Sequence, residues 1–434
     1  MHSVQSKAEL NARRYTLILL FFVSVFSYID RTILSILQVP IKADLGLSDA
    51  QLGALTGLSF ALFYATLALP IARLADRTIR SRMVAVSLGI WSGMTALTGL
   101  ATNYFSLIFF RIGVAVGEAG SIPASHSIIA DVYPPSKRSA AFALWGISLP
   151  VGLMLGYALA GTLEQMLGWR MTFAIIGGAG LLLAPLVYFT MREPLRGRYD
   201  PAPLKEVPMP SMMEAIHHLW RLRTIRYLFA AGACHTFAWC AVNSWNAPFY
   251  VRVHHMSLTE VSLYLAALNG VGSALGMYLG GRLSDHFGKK DPRGHLNVVT
   301  LSMLIMVPFG LAQYLVPSVG LSIVFGAFTL TLMLVYYGPI IAVSQFLVPP
   351  NIRAFTTAML LLVVNLFGLG LGPLTTGILS DFLTQHYGMA SDSLRYAISF
   401  SVLFSLLAAF LFWRASVHLP HEMVIDNDHA GDKV

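Results

Sequence analysis

Charged side chains are scarce in this chain. Lys, Arg, Asp and Glu make up 12% of its 434 residues against 56% hydrophobic ones, and mean hydropathy is +0.66. A water-soluble globular domain carries about 25% charged residues, so this composition excludes the soluble classes and leaves an integral membrane protein. Cysteine is nearly absent. Cys234 and Cys240, the two that occur, share one apolar run without Cys-x-x-Cys spacing and read as buried filler, with no redox or metal role. No G-x-x-x-x-G-K-(S/T) loop is present to cradle nucleotide phosphates, and neither H-E-x-x-H nor G-x-S-x-G occurs. A primary pump would therefore need a nucleotide-binding partner, an intramembrane hydrolase has no support, and no metal or other cofactor is implied.

What the chain has instead is apolar length. A bilayer core about 30 Å thick needs about 20 apolar residues per helical span. Such runs recur twelve times: 15–39, 51–73, 83–102, 104–130, 138–161, 170–191, 227–251, 259–281, 296–315, 319–347, 353–378 and 394–415. The first run is too long for a signal-peptide core and has no small-residue cleavage site behind it, so it reads as a span with nothing removed. The net charge of +8 is set by topology rather than by a nucleic-acid patch. With the N-terminus inside, about 23 of the Lys and Arg residues fall in cytoplasmic segments and about 4 in outer loops, as the positive-inside rule requires. The expectation is a multi-pass protein of the inner (cytoplasmic) membrane, with both termini cytoplasmic and no nucleic-acid partner.

The segment 192–226 is rich in proline and basic residues and reads as a cytoplasmic linker between six-helix bundles at 1–191 and 227–434. Across it the sequence repeats. LSDAQLG (47–53) and SLTEVSL (257–263) each place a serine three residues before Gln51 or Glu260, the capping-box spacing for a helix start. ARLADR (72–77) then aligns with GRLSDH (281–286), and PPSKRSAAFA (134–143) with PPNIRAFTTA (349–358). Matches in the same order at helix boundaries argue for duplicated halves. The fold expected is an all-α membrane protein of twelve transmembrane helices in two pseudo-symmetric six-helix bundles.

Within the apolar runs, charge is costly unless paired or turned to water. The first span nevertheless carries Asp30 and Arg31, and Ser24, Ser27, Arg31, Ser35 and Gln38 form one polar stripe at helical spacing. Asp30 borders that stripe between apolar neighbours such as Phe26 and Leu37. Its desolvation and the nearby arginine pull its proton affinity in opposite directions, which suits a proton carrier. The fourth span adds Arg111 and Glu118, seven residues apart and so on one helical face, which also places Glu118 to position Arg111. Four ionisable groups exceed what packing needs; two static ion pairs are the simpler alternative. The second half is neutral and aromatic by comparison. His235, Trp239, Asn243 and Asn246 recur at helical spacing, with Asn269, Tyr336, Tyr337, Gln345 and Asn365 elsewhere; for each taken singly, an interhelical hydrogen bond is the favoured role over substrate contact.

Twelve spans in duplicated halves, with G-x-x-x-D-(R/K)-x-G-like segments after the second and eighth, resemble the major facilitator superfamily. GRLSDHFGKK keeps both glycines, whereas ARLADRTIRSR has Ala72 and Ile79 in their places, which weakens the close helix contact expected at Ala72. The resemblance implies a cytoplasmic latch in which Asp76 and Asp285 face helix N-termini, with Arg77, Arg138 and Arg353 close by. Within the superfamily, YIDRTILSIL, GEAGSIPASHSIIADVYPPSKRSAAFALW and ISLPVGLMLGYALAG are most similar to the Spinster-like family, whose animal members are associated with lysophospholipids and sphingosine-1-phosphate. That likeness implies an alternating-access, proton-coupled secondary transporter, not an enzyme, for an amphipathic anionic substrate such as a lysolipid, acting as a monomer among membrane lipids. Asp30 and Glu118 would carry the coupling protons. Arg31, Arg111, His235, Trp239, Asn243, Asn269, Tyr336 and Tyr337 would contact substrate. Organic-anion:cation symporters share the Y-x-D-R-like and G-x-x-E-A-like signatures, so a proton-coupled carrier of small organic anions stays open, and motif absence leaves a channel or receptor as the alternative of another class.

Overall fold

The computed structural model describes the backbone of residues 7–197, 199, 211–349 and 352–431, and the side chains of these apart from 7–9, 68–69, 72–77, 136, 139, 354 and 424–431. Among the described residues all regular structure is helical, and each expected span falls in helix. The first is α1 (Lys7–Leu45). The second is broken into α2 (Asp49–Gly53), a π-helical turn (Ala54–Leu58) and α3 (Ser59–Arg77). The third is α4 (Arg80–Thr98), and the fourth joins α5 (Tyr104–Glu118) to α6 (Ser121–Val132). After α7 (Pro135–Gly146), the long α8 (Ser148–Thr190) completes the fifth span and supplies the sixth.

The linker contains α9 (Met212–Arg221). Beyond it the seventh span is α10 (Arg223–Val253), and the eighth is α11 (Leu258–Ala267), a π-helical turn (Leu268–Gly272) and α12 (Ser273–Gly288). The ninth is α13 (Gly294–Leu315), and the tenth is α14 (Val319–Met333) with α15 (Tyr337–Phe346). The eleventh is α16 (Arg353–Val363), another π-helical turn (Val364–Leu369) and α17 (Gly370–Tyr387). The twelfth is α18 (Ser393–Gly431). By length and apolarity alone, 9 helical stretches of the described residues qualify as spans. One of these, Ala140–Thr190, contains two spans, and α4 and α10 fall outside that set, so twelve is recovered. The division inside α8 is at Gly168, whose φ of +78° only glycine adopts readily.

Helix starts follow the capping logic. Ser48 and Gln51 form a reciprocal capping box at α2. Ser257 and Glu260 do the same at α11, with the Ser257 N–H donating to Glu260 Oε2 at 3.0 Å and the Glu260 N–H to Ser257 Oγ at 3.3 Å. The second and eighth spans also share a π-helical turn after the cap. The repeat seen in the sequence is thus a repeat in backbone form.

The chain packs as two compact units whose limits depart from the sequence halves. The first comprises Met1–Leu47, Ser59–Leu204 and Ser257–Ala266; the second comprises Ser48–Leu58, Lys205–Met256 and Ala267–Val434. In the first unit α8 lies along α1 and α4, and α5 packs on α4 and α3. Ser257–Ala266 is fixed there by the Thr259 hydroxyl, which donates to Gly161 O at 3.2 Å and to Gln165 Oε1 at 2.5 Å. In the second unit α18 is gripped by α10 and α13, and α17 packs on α2. Both Asp381 oxygens accept from the first α2 amides, Asp49 N–H at 3.0 Å and Ala50 N–H at 2.8 Å. The Asp49 carboxylate receives Arg252 Nη1 at 2.9 Å on each oxygen and Ser380 Oγ at 2.7 Å.

Candidate substrate and proton site

The four intramembrane charges of the first unit come together between α1 and α5. Their pairing differs from the one suggested by spacing along the fourth span. Glu118, only 1% exposed, turns to α1 rather than to Arg111: its Oε2 accepts from Arg31 Nε at 2.7 Å and Ser27 Oγ at 3.2 Å, and lies 2.6 Å from Arg31 Nη2 in an ion pair. Such charge-assisted bonds are the strong ones in a low-dielectric interior. Asp30 and Arg111, both buried, form no ion pair. Arg111 Nη1 reaches only the Asp30 backbone carbonyl, at 3.5 Å, and its Nε has no partner. Neither Asp30 carboxyl oxygen makes a hydrogen bond of ordinary geometry, although Thr95 and Trp91 on α4 are the donors nearest to it. Of the two ion pairs these four charges could form, the structure thus contains one, Arg31–Glu118.

Aromatic rings complete the site. The Arg31 guanidinium lies over Tyr28, Phe60 and Tyr64 at 5.8, 5.0 and 5.2 Å from their centroids, and Arg111 lies 4.7 Å from Phe60, so one ring serves both cations. Phe60 and Tyr64 stack at 5.4 Å one turn apart on α3. A Cβ on Gly117 would sit 2.7 Å from Trp91 N, so the lack of one lets α5 close on α4 and brings Trp91 beneath Asp30. Sequence reasoning passed over these rings; the available signal was an aromatic pair at i, i+4 beside a charged span.

The polar stripe of the seventh span divides. His235 is fully buried, with Nε2 bonded to Met333 O at 2.8 Å and its ring 4.4 Å from Tyr336. Tyr336 Oη pairs with Thr236 Oγ1 at 3.2 Å, and the Tyr337 ring follows at 6.3 Å. Asn246 turns inward, where its Oδ1 accepts from Tyr314 Oη at 2.7 Å and Gln313 Nε2 at 3.2 Å. Trp239 and Asn243 stay half-buried, Asn243 Nδ2 donating to Trp239 O at 3.0 Å. Asn269 is buried in the π-helical turn after α11.

Of the expected latch residues, Asp76 and Arg77 have side chains outside the described residues. Asp285 is exposed on the last turn of α12. Arg138 Nε donates to Ala130 O at 2.9 Å and Tyr133 O at 3.2 Å, and Arg353 Nε donates to Val348 O at 3.4 Å. Both arginines thus reach the carbonyl five residues back, a cation on a chain end whose carbonyls lack helical partners.

A network the sequence did not reveal lies at Arg80. The residue is 2% exposed, and its guanidinium bonds Glu193 Oε1 at 2.8 Å, Ser127 Oγ at 2.7 Å, Pro194 O at 3.1 Å and Asp131. Burial pushes the Glu193 carboxyl up, but the Ser81 N–H, at 2.8 Å, and Arg80 outweigh it and hold the group below the ordinary carboxylate range. The signal was positional: each of these charges sits at the end of a different span.

The profile of the Major Facilitator Superfamily matches residues 20–373. A protein described as an MFS-type efflux pump from Mycolicibacterium smegmatis is 33% identical over 405 residues, covering 93% of each chain. Protein spinster homolog 1 of Xenopus laevis is 25% identical, covering 88% of this chain and 76% of its own. The crystal structure of a bacterial homolog to human lysosomal transporter Spinster, inward-facing and unoccupied, superposes with a TM-score of 0.86 at 31% identity over 95% of this chain and 98% of that one. With helical spans, duplicated helix starts and relatives that transport rather than catalyse, the chain belongs to the major facilitator superfamily, as a multi-pass membrane transporter resembling its Spinster-like members.

Proposed function

We propose that the chain is a proton-coupled secondary transporter working by alternating access on an amphipathic anionic substrate of the lysolipid or sphingolipid kind. The observation that supports this best is the unpaired couple in the first unit: a buried guanidinium, Arg111, without an ion pair, beside a buried carboxyl, Asp30, without a hydrogen bond of ordinary geometry. Burying either group alone costs several kcal/mol, and the two together make sense if each waits for a ligand. Arg111 takes the anionic head group, with Arg31 as a second contact, and Asp30 takes the proton. Glu118 orders Arg31 and is the second coupling candidate. His235, Trp239, Asn243, Asn269, Tyr336 and Tyr337 provide neutral and aromatic contacts for the rest of the substrate.

In this reading the sequence halves 1–191 and 227–434 rock about the linker 192–226, a monomer suffices, and Asp76, Arg77, Arg138, Asp285 and Arg353 latch the cytoplasmic side. The experiment is transport by Asp30→Asn in proteoliposomes, with the ligand first identified by native mass spectrometry of gently solubilised protein. The variant should lose accumulation driven by a pH gradient and keep counterflow of labelled substrate. Accumulation at the wild-type level would remove Asp30 as the coupling site.

A further inference from the structure

The linker helix α9 is amphipathic in an unusual place. Ser211 and Glu214 cap it with a reciprocal capping box, and Ala215 and Leu219 key it into a core shared with α10 and α18. Those two residues cover only part of its apolar arc. At 100° per residue, Met212, Ile216, Trp220 and Met213 form the adjoining sector, and Met212, Met213 and Trp220 are 62%, 73% and 66% exposed. Glu214, His217, His218 and Arg221 take the opposite side. One residue, Leu222, separates α9 from α10, whose first amides, Arg223 and Thr224 N–H, donate to Glu422 at 2.7 and 3.0 Å and fix the corner.

We propose that α9 is an interfacial helix seated on the membrane surface where α10 enters the bilayer, and that its partner is anionic phospholipid. Met212, Ile216 and Trp220 enter the boundary between head groups and acyl chains, and Arg221, with Arg223 and Arg226 at the head of α10, meets the phosphates. Three observations support a lipid occupant over a protein one. The helix bearing the exposed sector is separated by one residue from the span that begins at Arg223, at the level where that span enters the bilayer. It carries an exposed tryptophan, Trp220, the residue favoured at head-group depth. The flanking charge is basic, three arginines from 221 to 226 against Glu214 and the Glu422 carboxylate that caps α10, which suits an anionic leaflet and an in-plane helix. The proposal does not depend on the transported substrate.

The test uses the full-length protein in lipid nanodiscs. Spin labels at Met213→Cys, Glu214→Cys and Trp220→Cys, in a Cys234→Ser/Cys240→Ala background, are compared for relaxation by oxygen, which concentrates in lipid, and by a water-soluble nickel chelate. Labels at 213 and 220 should favour oxygen and the label at 214 the chelate. If 213 and 220 are as open to nickel as 214, the face is in water and the proposal falls; if they are shielded from both agents, protein covers the face and the proposal falls equally. Independently of any label, brominated phospholipid should quench a smaller share of tryptophan emission in Trp220→Phe than in wild type, and an unchanged share overturns lipid contact. For the charge component, the thermal stabilisation gained on replacing phosphatidylcholine with phosphatidylglycerol should be at least halved in Arg221→Gln/Arg226→Gln. An undiminished gain overturns the choice of an anionic lipid.

Discussion

Breaking the Arg31–Glu118 pair from its two sides should have unequal consequences. The Glu118 carboxylate is 1% exposed, while the Arg31 side chain is 25% exposed and lies against three aromatic rings. Arg31→Gln leaves a desolvated anion held only by Ser27 and by the field of Arg111, and removing one partner of a buried pair costs about 3–5 kcal/mol. Glu118→Gln leaves a cation that keeps partial hydration and ring contacts of about 0.5–1 kcal/mol each, and the amide oxygen still accepts one bond. Its cost should be about 1–2 kcal/mol. The expected gap of about 2 kcal/mol is roughly a 30-fold difference in the folded-to-unfolded ratio. In Arg31→Gln/Glu118→Gln the stranded charge is gone, so the double variant should lie near Glu118→Gln and give a coupling energy close to the whole Arg31→Gln cost, about 3–5 kcal/mol. Denaturation by SDS titration in mixed micelles measures all three. If Arg31→Gln is no worse than Glu118→Gln, the burial of the carboxylate does not govern the pair, and the reasoning fails.

Arg111→Lys keeps the charge but loses the planar fork, so binding of the native substrate should weaken at least 10-fold by equilibrium titration; wild-type affinity would make Arg111 structural. Glu193→Gln should cost about 1 kcal/mol at pH 7 after screening at this partly exposed site. Because the folded carboxyl is held below its unfolded value of about 4.3, that stability is present above pH 4.3 and disappears as pH falls through the folded value, so the two proteins should converge only once pH lies below that folded value in a pH-stability series. Asp381→Ala removes both acceptors from the α2 amides, and should cost about 1–2 kcal/mol and speed hydrogen exchange at residues 49–53.

Much of this molecule is legible in one dimension. Apolar length marks the spans, and the serines at 48 and 257 mark equivalent helix starts because capping is local chemistry. The charges at 30, 31, 111 and 118 stand out because each is expensive where it lies. What spacing could not settle is partnership. Arg111 and Glu118 share a face of the fourth span, yet the close α4–α5 approach at Gly117 and the position of α1 give Glu118 to Arg31. The stripe from His235 to Asn246 divides for a related reason: a long helix wrapped by several neighbours turns part of a polar face to Met333 and Tyr314 and leaves the rest half-open. Arg80, Asp131 and Glu193 are 51 and 113 residues apart from the arginine, a separation at which no sequence period operates.

The crossing of short segments between the units has a consequence for fragments of the polypeptide. A C-terminal piece beginning at the linker would lack Ser48–Leu58. Asp381 would then have no amides to cap, and Arg252 would lose the Asp49 carboxylate that receives it. An N-terminal piece would lack Ser257–Ala266, removing the segment that donates to Gly161 and Gln165. Two halves produced from separate genes should therefore accumulate poorly alone and rescue one another when made together, each carrying the missing part of its counterpart's interior.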